Sequence, residues 1–552
     1  MSAPRRVGIV SLGCAKNLVD AEIMLGSLLQ HGFEITNEPA DANAIIVNTC
    51  SFIDAAQEES VDAILESTAV RDANHRGQAV IVSGCMAQRF REELPKLFPE
   101  VDAFMGIDQV AQVGNIVDQA IATRTTRVSH PKPSKRSSSR IKSTLALHDQ
   151  AKPSTDDPSL SLKGGPLHNK TRQVLSPIPV SDASVVDVHV RPSYIPQHDT
   201  PRFRLTPRHF AYLKIAEGCN HPCSFCTIPQ MRGSHRSRLQ SDIIQEAKRL
   251  ISEGVRELNL ISQDSTYYGL DLRANHSRAI SSPSRFKAAT QALPADATTL
   301  SSLLRSLNDL PGNFWIRLLY THPAHWTDDL IKTIAECPKV ARYVDMPLQH
   351  IDDEMLRRMR RETDGQYIRD LIARIRGGIP GIAIRTTFIV GFPGETEARF
   401  QNLLDFIRST RFERLGIFSY SREEGTIAGK MEAQISTRVR QNRKLRAMEA
   451  QQIIAAEVSQ SYVGRTLKVL IENQASSEEL EKANVSSWEH GLIRNDIPSS
   501  PLPKGTYWIG RAETDAPDID GRVYVKGKVP IGEFSDVKIL GHTVYDLVAK
   551  PV

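Results

Sequence analysis

Short apolar runs alternate with amphipathic stretches in the N-terminal part of the chain. Three runs, Val7–Leu12, Ala44–Val47 and Ala79–Val82, are each followed at once by a small or polar turn, as is typical of buried parallel strands. Between these runs, apolar residues recur at helical spacing, for example in Asp20–Gln30. The alternation predicts a parallel α/β sheet, of the flavodoxin or Rossmann-like kind, over residues 1–123.

Six further strand candidates occupy the centre of the chain, with helical patterns between them. The candidates are Ala211–Ala216, Glu257–Ile261, Trp315–Leu319, Tyr343–Met346, Ile384–Val390 and Arg414–Phe418. Six strand–helix units predict an open partial TIM barrel over residues 209–455, and the chain as a whole is expected to be a multidomain α/β protein. Residues 275–296 interrupt the pattern and are predicted to be a low-complexity insertion.

Short alternating strands, punctuated by glycine and proline, close the chain. The candidates are Thr466–Ile471, Tyr507–Ala512, Val523–Val525, Asp536–Leu540 and Val544–Leu547. This pattern predicts a small antiparallel β-barrel over residues 456–552, with residues 474–503 as a loop inserted into it.

The range 124–208, between the first two predicted domains, is rich in serine, proline and basic residues. It carries 15 lysines and arginines against 6 aspartates and glutamates, whereas the whole chain has a formal net charge of +5. Such a composition cannot bury enough apolar surface to offset its ordering entropy, so we predict a basic disordered linker. The linker is interpreted either as a solvated insertion without a partner or as an arm attracted to RNA.

The overall composition is ordinary for a globular protein, with 40% hydrophobic and 24% charged residues. No apolar run reaches the length that spans a membrane, and Met1–Ser11 lacks the long apolar core of a secretory signal. These features predict a cytoplasmic protein without a membrane partner. Seven cysteines in a reducing cytoplasm are more consistent with metal ligands than with disulfides.

Three closely spaced cysteines, Cys219, Cys223 and Cys226, follow the first strand candidate of the central domain. This spacing lets one tight loop bring three thiolates to a single 4Fe–4S cluster, which normally takes four. The nearest other cysteine in sequence is Cys337, so the loop alone leaves one iron open to a further ligand. A zinc loop is the alternative, but structural zinc sites usually close at four ligands, and no second Cys or His pair completes this one.

Three more cysteines, Cys14, Cys50 and Cys85, each lie just past the C-terminal end of a predicted strand of the first domain. Open α/β sheets bind ligands at that edge, so the three thiols can converge on one site. Free cysteines are also common core residues, which is the alternative interpretation. The repeated placement favours a second cluster with three ligands.

Polar residues end other strand candidates of the predicted barrel. They are Gln263 and Asp264, Gln349 and His350, and the stretch Gly391–Glu395. Each could be an ordinary loop end, but together they indicate a cofactor and substrate pocket at the C-terminal face of the barrel.

The segment EGCNHPCSFCTIPQMRG, residues 217–233, resembles the cluster loop of radical S-adenosylmethionine enzymes and, within them, of the methylthiotransferase family. Three segments, GCAKNLVD at 13–20, NTCSFI at 48–53 and SGCMAQ at 83–88, are similar to the cysteine motifs of that family's N-terminal domain. The C-terminal strand pattern resembles the family's TRAM domain. The resemblance covers nearly the whole chain apart from the insertions.

The resemblance implies that one set of three cysteines holds the 4Fe–4S cluster that binds and cleaves S-adenosylmethionine, and that a second set holds an auxiliary 4Fe–4S cluster for sulfur delivery. The two sets are Cys219, Cys223 and Cys226, and Cys14, Cys50 and Cys85. It further implies that the 5′-deoxyadenosyl radical removes a hydrogen from an unactivated carbon and that a second S-adenosylmethionine supplies the methyl group. An electron donor and a sulfur donor are expected partners.

The charge of the last domain bears on the substrate. Residues 461–552 carry 11 lysines and arginines against 13 aspartates and glutamates, and the segment Glu513–Gly521 is acidic. Binding RNA needs clustered cations, whereas an acidic face attracts a basic protein. The sequence also resembles the RimO-type branch, whose members methylthiolate the β-carbon of one aspartate in small-subunit ribosomal protein S-twelve, the expected partner here, free or on the subunit.

Two other functions are kept as alternatives. A transfer-RNA adenosine methylthiotransferase would act on a different polymer, and the acidic last domain argues against it, although the basic linker could partly compensate. A non-catalytic iron–sulfur protein that only binds ribosomes is the other alternative. The presence of all six motif cysteines argues against that interpretation.

Overall fold

The computed structural model describes residues 4–129, 184–273, 282–481 and 505–552, with a few residues between 483 and 502. The middle of the predicted linker and parts of the two predicted insertions lie outside the described residues. Among the described helices, none combines the length and the apolar character needed to cross a membrane.

The first domain is a parallel sheet with helices on both faces. Its elements are β1 (Arg6–Ser11), α1 (Ala15–Gln30), β2 (Glu34–Ile35), β3 (Ala44–Thr49), α2 (Asp54–Asn74), β4 (Ala79–Gly84), α3 (Cys85–Arg89), α4 (Leu94–Leu97), β5 (Ala103–Met105), α5 (Val113–Ser129) and β6 (Val185–Asp187). The strand order is β2-β1-β3-β4-β5-β6, and all pairs are parallel. Every residue of β3 and β4 is buried, which explains their continuous apolar runs and confirms the predicted sheet.

Both ends of the range predicted to be a disordered linker are folded. Helix α5 continues to Ser129, and β6 pairs in parallel with β5. Farther along, the buried Arg202 forms ion pairs with Glu22 at 2.6 Å and Glu246 at 2.8 Å. A three-residue edge strand is too short to show a periodicity, so the sequence pattern did not reveal it.

The central domain is an open barrel of six parallel strands, as predicted. Its elements are β7 (Phe210–Lys214), β8 (Ala216–Glu217), α6 (Ile228–Arg232), β9 (Arg236–Ser237), α7 (Gln240–Ser252), β10 (Glu257–Ile261), α8 (Pro283–Gln291), α9 (Leu300–Asn308), β11 (Trp315–Leu318), α10 (Asp328–Glu336), β12 (Val340–Asp345), α11 (Asp353–Met359), α12 (Gly365–Gly378), β13 (Ala383–Val390), α13 (Glu397–Thr410), β14 (Arg414–Ser419) and α14 (Thr437–Tyr462). The barrel strands lie in the order β14-β13-β12-β11-β10-β7 and leave the sheet open between its two edges. Helix α8, which buries Phe286, lies within the range predicted to be a low-complexity insertion.

The last domain is a closed five-stranded barrel. Its elements are β15 (Thr466–Gln474), α15 (Ser477–Glu481), β16 (Val485–Trp488), β17 (Leu492–Arg494), β18 (Tyr507–Ala512), β19 (Val523–Lys526), β20 (Phe534–His542) and β21 (Leu547–Pro551). The ring order is β15-β18-β19-β21-β20, and β16 with β17 forms a hairpin inside the predicted inserted loop. The expected small β-barrel is confirmed. The expectation that it is antiparallel is wrong for one pair of neighbouring strands, because β19 and β21 run parallel. A closed ring with an odd number of strands cannot alternate direction throughout.

The acidic segment of the last domain packs against the N-terminal ends of the central barrel strands. Asp515 is 1% exposed and forms an ion pair with the buried Arg414. Asp520 is 7% exposed and accepts a hydrogen bond of 2.7 Å from the Tyr343 hydroxyl. Asp518 alone of the three aspartates is exposed. The expectation that this segment offers an acidic face to a basic protein is therefore wrong for Asp515 and Asp520, which bind groups of the same chain.

We expect Asp515→Asn to weaken the docking of the last domain by about 3–5 kcal/mol, because it leaves the Arg414 guanidinium buried without its counter-charge. Denaturant unfolding measures the change. Asp518→Asn is the matched control, since an exposed site typically changes stability by less than about 0.5 kcal/mol. Equal unfolding midpoints for the two variants would contradict the assigned packing.

Candidate active site at the junction of two cysteine triads

Cys14, Cys50 and Cys85, here called the first triad, lie together at the carboxyl edge of the first sheet. Cys14 precedes α1, Cys50 follows β3, and Cys85 begins α3 directly after β4. Gly13 has a φ of +94°, and a Cβ there would lie 2.8 Å from Cβ and 3.1 Å from Sγ of Cys50. Only glycine allows this approach. Burial, and then the neighbouring Cys85 and Cys14, raise the pKa of the Cys50 thiol to about 12.

Cys219, Cys223 and Cys226, here called the second triad, lie on the loop between β8 and α6. Gly218, with a φ of +83°, begins this loop, and a Cβ there would lie 2.1 Å from the Ser234 carbonyl oxygen. The Cys226 amide donates a hydrogen bond of 3.2 Å to the Cys223 carbonyl, which folds the loop back on itself. Burial, and then the neighbouring Cys223, raise the pKa of the Cys226 thiol to about 12.

The donor groups around both triads fit iron–sulfur clusters. Each triad gathers three thiols, and N–H groups point at individual sulfur atoms. The Arg232 guanidinium lies 3.4 Å from Cys85 Sγ, the Ile228 amide 3.4 Å from Cys226 Sγ, and the Arg361 guanidinium 3.5 Å from Cys223 Sγ. Such donors offset the negative charge of a thiolate-ligated cluster.

A buried ionic network lies between the segments that carry the two triads. The region around this network, formed by Asp20, Lys214, Glu217 and Arg232, is here called the junction. Arg232, at the end of α6, is 2% exposed and lies 2.9 Å from Asp20 Oδ2 and 3.1 Å from Glu217 Oε1. Lys214 contacts the same two carboxylates at 2.6 and 2.7 Å. Burial raises the pKa of a carboxyl, but the two cations hold the pKa of Glu217 well below its ordinary range. The charges of the two carboxylates are thus balanced by those of the two cations.

Arg232 also contacts the first triad directly. Its Nη2 donates a hydrogen bond of 2.6 Å to Asn17 Oδ1, besides its contact with Cys85 Sγ. Asn17 lies in the first turn of α1, which begins beside Cys14, whereas Glu217 lies two residues before Cys219. One guanidinium therefore links Cys85 of the first triad to Glu217, which immediately precedes the loop of the second triad.

The carboxyl ends of β11 and β12 face the same junction. The Lys16 ammonium lies 2.8 Å from the centroid of the Tyr320 ring. Asp345, at the end of β12, accepts hydrogen bonds of 2.5 Å from Arg385 and 3.2 Å from the Tyr320 amide. Tyr320 has a φ of +60°, a left-handed conformation that costs a non-glycine residue of the order of 1–3 kcal/mol and clusters at functional sites.

Family models match three parts of the chain. The uncharacterised protein family UPF0004 matches residues 6–106, the radical SAM superfamily matches residues 213–407, and the TRAM domain matches residues 502–552. Among solved structures, the chain is similar to the radical S-adenosylmethionine methyltransferase TsrM from Kitasatospora setae, with 14% identity and a TM-score of 0.46 over 77% of this chain and 74% of that chain.

Relatives match the chain over almost its full length. The ribosomal protein uS12 methylthiotransferase RimO of Opitutus terrae is 48% identical over 99% of this chain and 96% of that protein. The protein of the same name from Akkermansia muciniphila is 43% identical over 99% of this chain and 100% of that protein. The chain belongs to the RimO family. It is a radical S-adenosylmethionine methylthiotransferase, and its family membership implies a 4Fe–4S cluster and S-adenosylmethionine as cofactors.

Three polar residues that end strands of this RimO-family barrel make internal pairs. Asp264 Oδ2 lies 2.9 Å from His221 Nε2, and His221 belongs to the loop of the second triad. His350 lies 3.1 Å from Glu395, which also accepts a hydrogen bond of 2.7 Å from Arg443. Asp264, His350 and Glu395, three of the predicted pocket residues, therefore brace the cluster loop and the turn that follows β13.

Three histidines lie close together, and one of them, His221, belongs to the loop of the second triad. Ring nitrogens of His221, His322 and His325 are within 4.8 Å of one another, a spacing that is compatible with a metal site. However, the His221 and His322 rings stack at 3.7 Å with an angle of 17°. Stacked imidazoles cannot direct their in-plane lone pairs at one ion. Asp264 contacts both His221 and His325. The three histidines therefore support the cysteine loop of this RimO-family protein.

Sequence reasoning missed Lys16, Arg232 and Tyr320, although both cations lie within the quoted cysteine motifs. A charged residue two positions after Cys14 was the available signal for Lys16. Nothing in the local pattern shows that the two motifs meet, because that contact depends on how the first domain packs on the barrel.

We predict that Cys337→Ser keeps the full iron content and activity of the holoenzyme. Cys337 is buried at the C-terminal end of α10, in the core of the central domain. Burial raises the pKa of its thiol, so it stays neutral there. Iron analysis after anaerobic reconstitution, with an activity assay, tests this. A loss of iron would indicate a fourth protein ligand to one cluster.

Proposed function

We propose that this enzyme methylthiolates the β-carbon of an aspartate in small-subunit ribosomal protein S-twelve. The observation that supports a reaction using both triads is the contact of Arg232 with Cys85 on one side and Glu217 on the other, at 3.4 and 3.1 Å, and the substrate follows from the names of the relatives. Both triads therefore border one junction. A group transfer that uses both sites requires this proximity, because reactants held side by side avoid the entropic cost of a second encounter.

The two triads would hold different clusters. When bound, a 4Fe–4S cluster on the second triad would supply the electron that cleaves S-adenosylmethionine, and one on the first triad would support sulfur delivery. Residues 1–123 would thus serve sulfur delivery, residues 209–455 the radical step, and residues 456–552 would close the barrel, with 124–208 as a connecting segment. An electron donor and a sulfur donor are required partners, and the ribosomal substrate favours a cytoplasmic location.

The chain's own residues would orient and screen the reaction. The loop that begins at Gly218 holds the second triad, and the N-terminus of α1 directs its partial positive charge towards Cys14. Burial of Asp20, Glu217 and Arg232 excludes water between the triads. A dry junction strengthens each electrostatic contact and protects a reactive carbon from side reactions.

Two observations favour a protein substrate over transfer RNA. The relatives at 48% and 43% identity carry the name of a ribosomal-protein enzyme. The residues 461–552 have no excess of cations over anions with which to bind phosphates. Asp515 and Asp520 do not contribute to attracting a basic protein, because they are buried against the barrel.

Mass spectrometry of a deletion strain tests the substrate. Ribosomal protein S-twelve from that strain should lack a methylthio group on one aspartate, and complementation with the unaltered chain should restore it. Complementation with Cys219→Ala is the matched control and should not restore the group. A change confined to transfer-RNA nucleosides would overturn the proposal in favour of the transfer-RNA alternative.

A further inference from the structure

Lys16 is a buried cation at the junction of the two triads. It lies in the first turn of α1, two residues after Cys14, and is 7% exposed. Its ammonium contacts the ring of Tyr320, at the carboxyl end of β11. The charged or titratable groups close enough to influence it are Cys14, Asp345, Arg232 and Glu217. Lys16 therefore faces both the first triad and the carboxyl rim of the barrel.

Among the described residues, no carboxylate forms an ion pair with Lys16, and its ammonium makes no hydrogen bond. The nearby carboxylates are engaged elsewhere, since Asp345 pairs with Arg385 at 2.5 Å and Glu217 pairs with Lys214 at 2.7 Å. Lys214, the comparable buried lysine, has two carboxylate partners. Cys14 is the strongest charged neighbour of Lys16, but as a cluster ligand it would share its charge with iron, so a largely buried ammonium without a carboxylate partner can still be stabilised by a carboxylate from outside the chain.

We propose that Lys16 binds the side-chain carboxylate of the aspartate that is methylthiolated. The inference rests on the proposed function and names the group that recognises its substrate. The carboxylate of aspartate is attached directly to the β-carbon. Binding of the carboxylate by Lys16 therefore positions the β-carbon between the triads. The strained backbone of Tyr320 holds the ring that places the ammonium. A neutral nucleobase offers no anion for this contact.

The test compares two substrates on several forms of the reconstituted holoenzyme. Binding of ribosomal protein S-twelve is measured with the target aspartate present or replaced by asparagine. The unaltered enzyme should bind the aspartate form roughly 10- to 100-fold more tightly, as expected for a hydrogen bond between two charged groups. Lys16→Met and Lys16→Gln should bring this ratio close to one. Lys332→Met, at an exposed lysine, is the matched control and should leave the ratio unchanged.

Three outcomes overturn the inference or separate it from the proposed function. Equal binding of the two substrate forms by the unaltered enzyme overturns it without any variant. A neutral variant at Lys16 that keeps its iron and the full preference for aspartate overturns it as well. If the unaltered enzyme neither binds nor modifies either form of the protein, the proposed function fails, and the inference fails with it.

Discussion

The variant Cys14→Ala/Cys50→Ala/Cys85→Ala is expected to lose methylthiolation completely while keeping about half of the iron, since each triad would hold one cluster of similar size. The second triad lies on a separate loop of the central domain, and none of its cysteines is altered. Cleavage of S-adenosylmethionine should therefore continue. Iron and sulfide analysis after anaerobic reconstitution, with chromatography of the cleaved cofactor, measures both quantities.

The complementary variant, Cys219→Ala/Cys223→Ala/Cys226→Ala, is the matched control for this experiment. It should also keep about half of the iron, but it should lose cleavage of S-adenosylmethionine, because the site of reduction is removed. Loss of all iron in either variant would show that the six cysteines form one site and not two. Retained methylthiolation in the first variant would remove the first triad from sulfur delivery.

Arg232→Met is expected to lower the free energy of unfolding by about 3–5 kcal/mol, because it breaks a buried ion-pair network and leaves its partners in place. Asp20 and Glu217 would then share the single cation of Lys214. The variant should also lose methylthiolation, since the guanidinium is the group that contacts both halves of the junction. Denaturant unfolding followed by the fluorescence of Trp315 and Trp326, both in the central domain, measures the stability change.

Arg305→Met provides the comparison for the previous variant. Arg305 pairs with Asp329 at 2.6 Å, but the two side chains are 44% and 57% exposed. An exposed ion pair contributes at most about 1 kcal/mol, so this variant should unfold close to the unaltered protein. Similar losses in the two arginine variants would mean that burial of the Arg232 network does not determine its contribution.

Local patterns predicted the sheets and the cysteines because those signals are short in range. The wholly buried strands β3 and β4 appear as continuous apolar runs, and the barrel strands recur with helices between them. The positions of the motif cysteines after strands followed from the same reasoning. The meeting of the two triad segments depends instead on the tertiary contacts of Arg232, which no local pattern shows.

Features that depend on contacts between domains could not be predicted from the sequence. The segment Glu513–Gly521 is acidic in composition, yet Asp515 and Asp520 are enclosed by arginine and tyrosine side chains of the barrel. Strand β6 was hidden in a range of disordered composition, because three residues carry no measurable periodicity. Closure of a five-stranded ring requires at least one parallel pair, here β19 and β21, and no residue type in the sequence indicates which pair it is.

The packing of the acidic segment into the barrel has a consequence for synthesis of the protein. Arg414 belongs to β14, whereas Asp515, its ion-pair partner, leaves the ribosome only with the final 40 or so residues. Until then the nascent barrel holds an arginine whose ion-pair partner has not yet been translated. A chain that ends before Asp515 would therefore leave the Arg414 guanidinium without its counter-charge, which should destabilise the N-terminal end of β14.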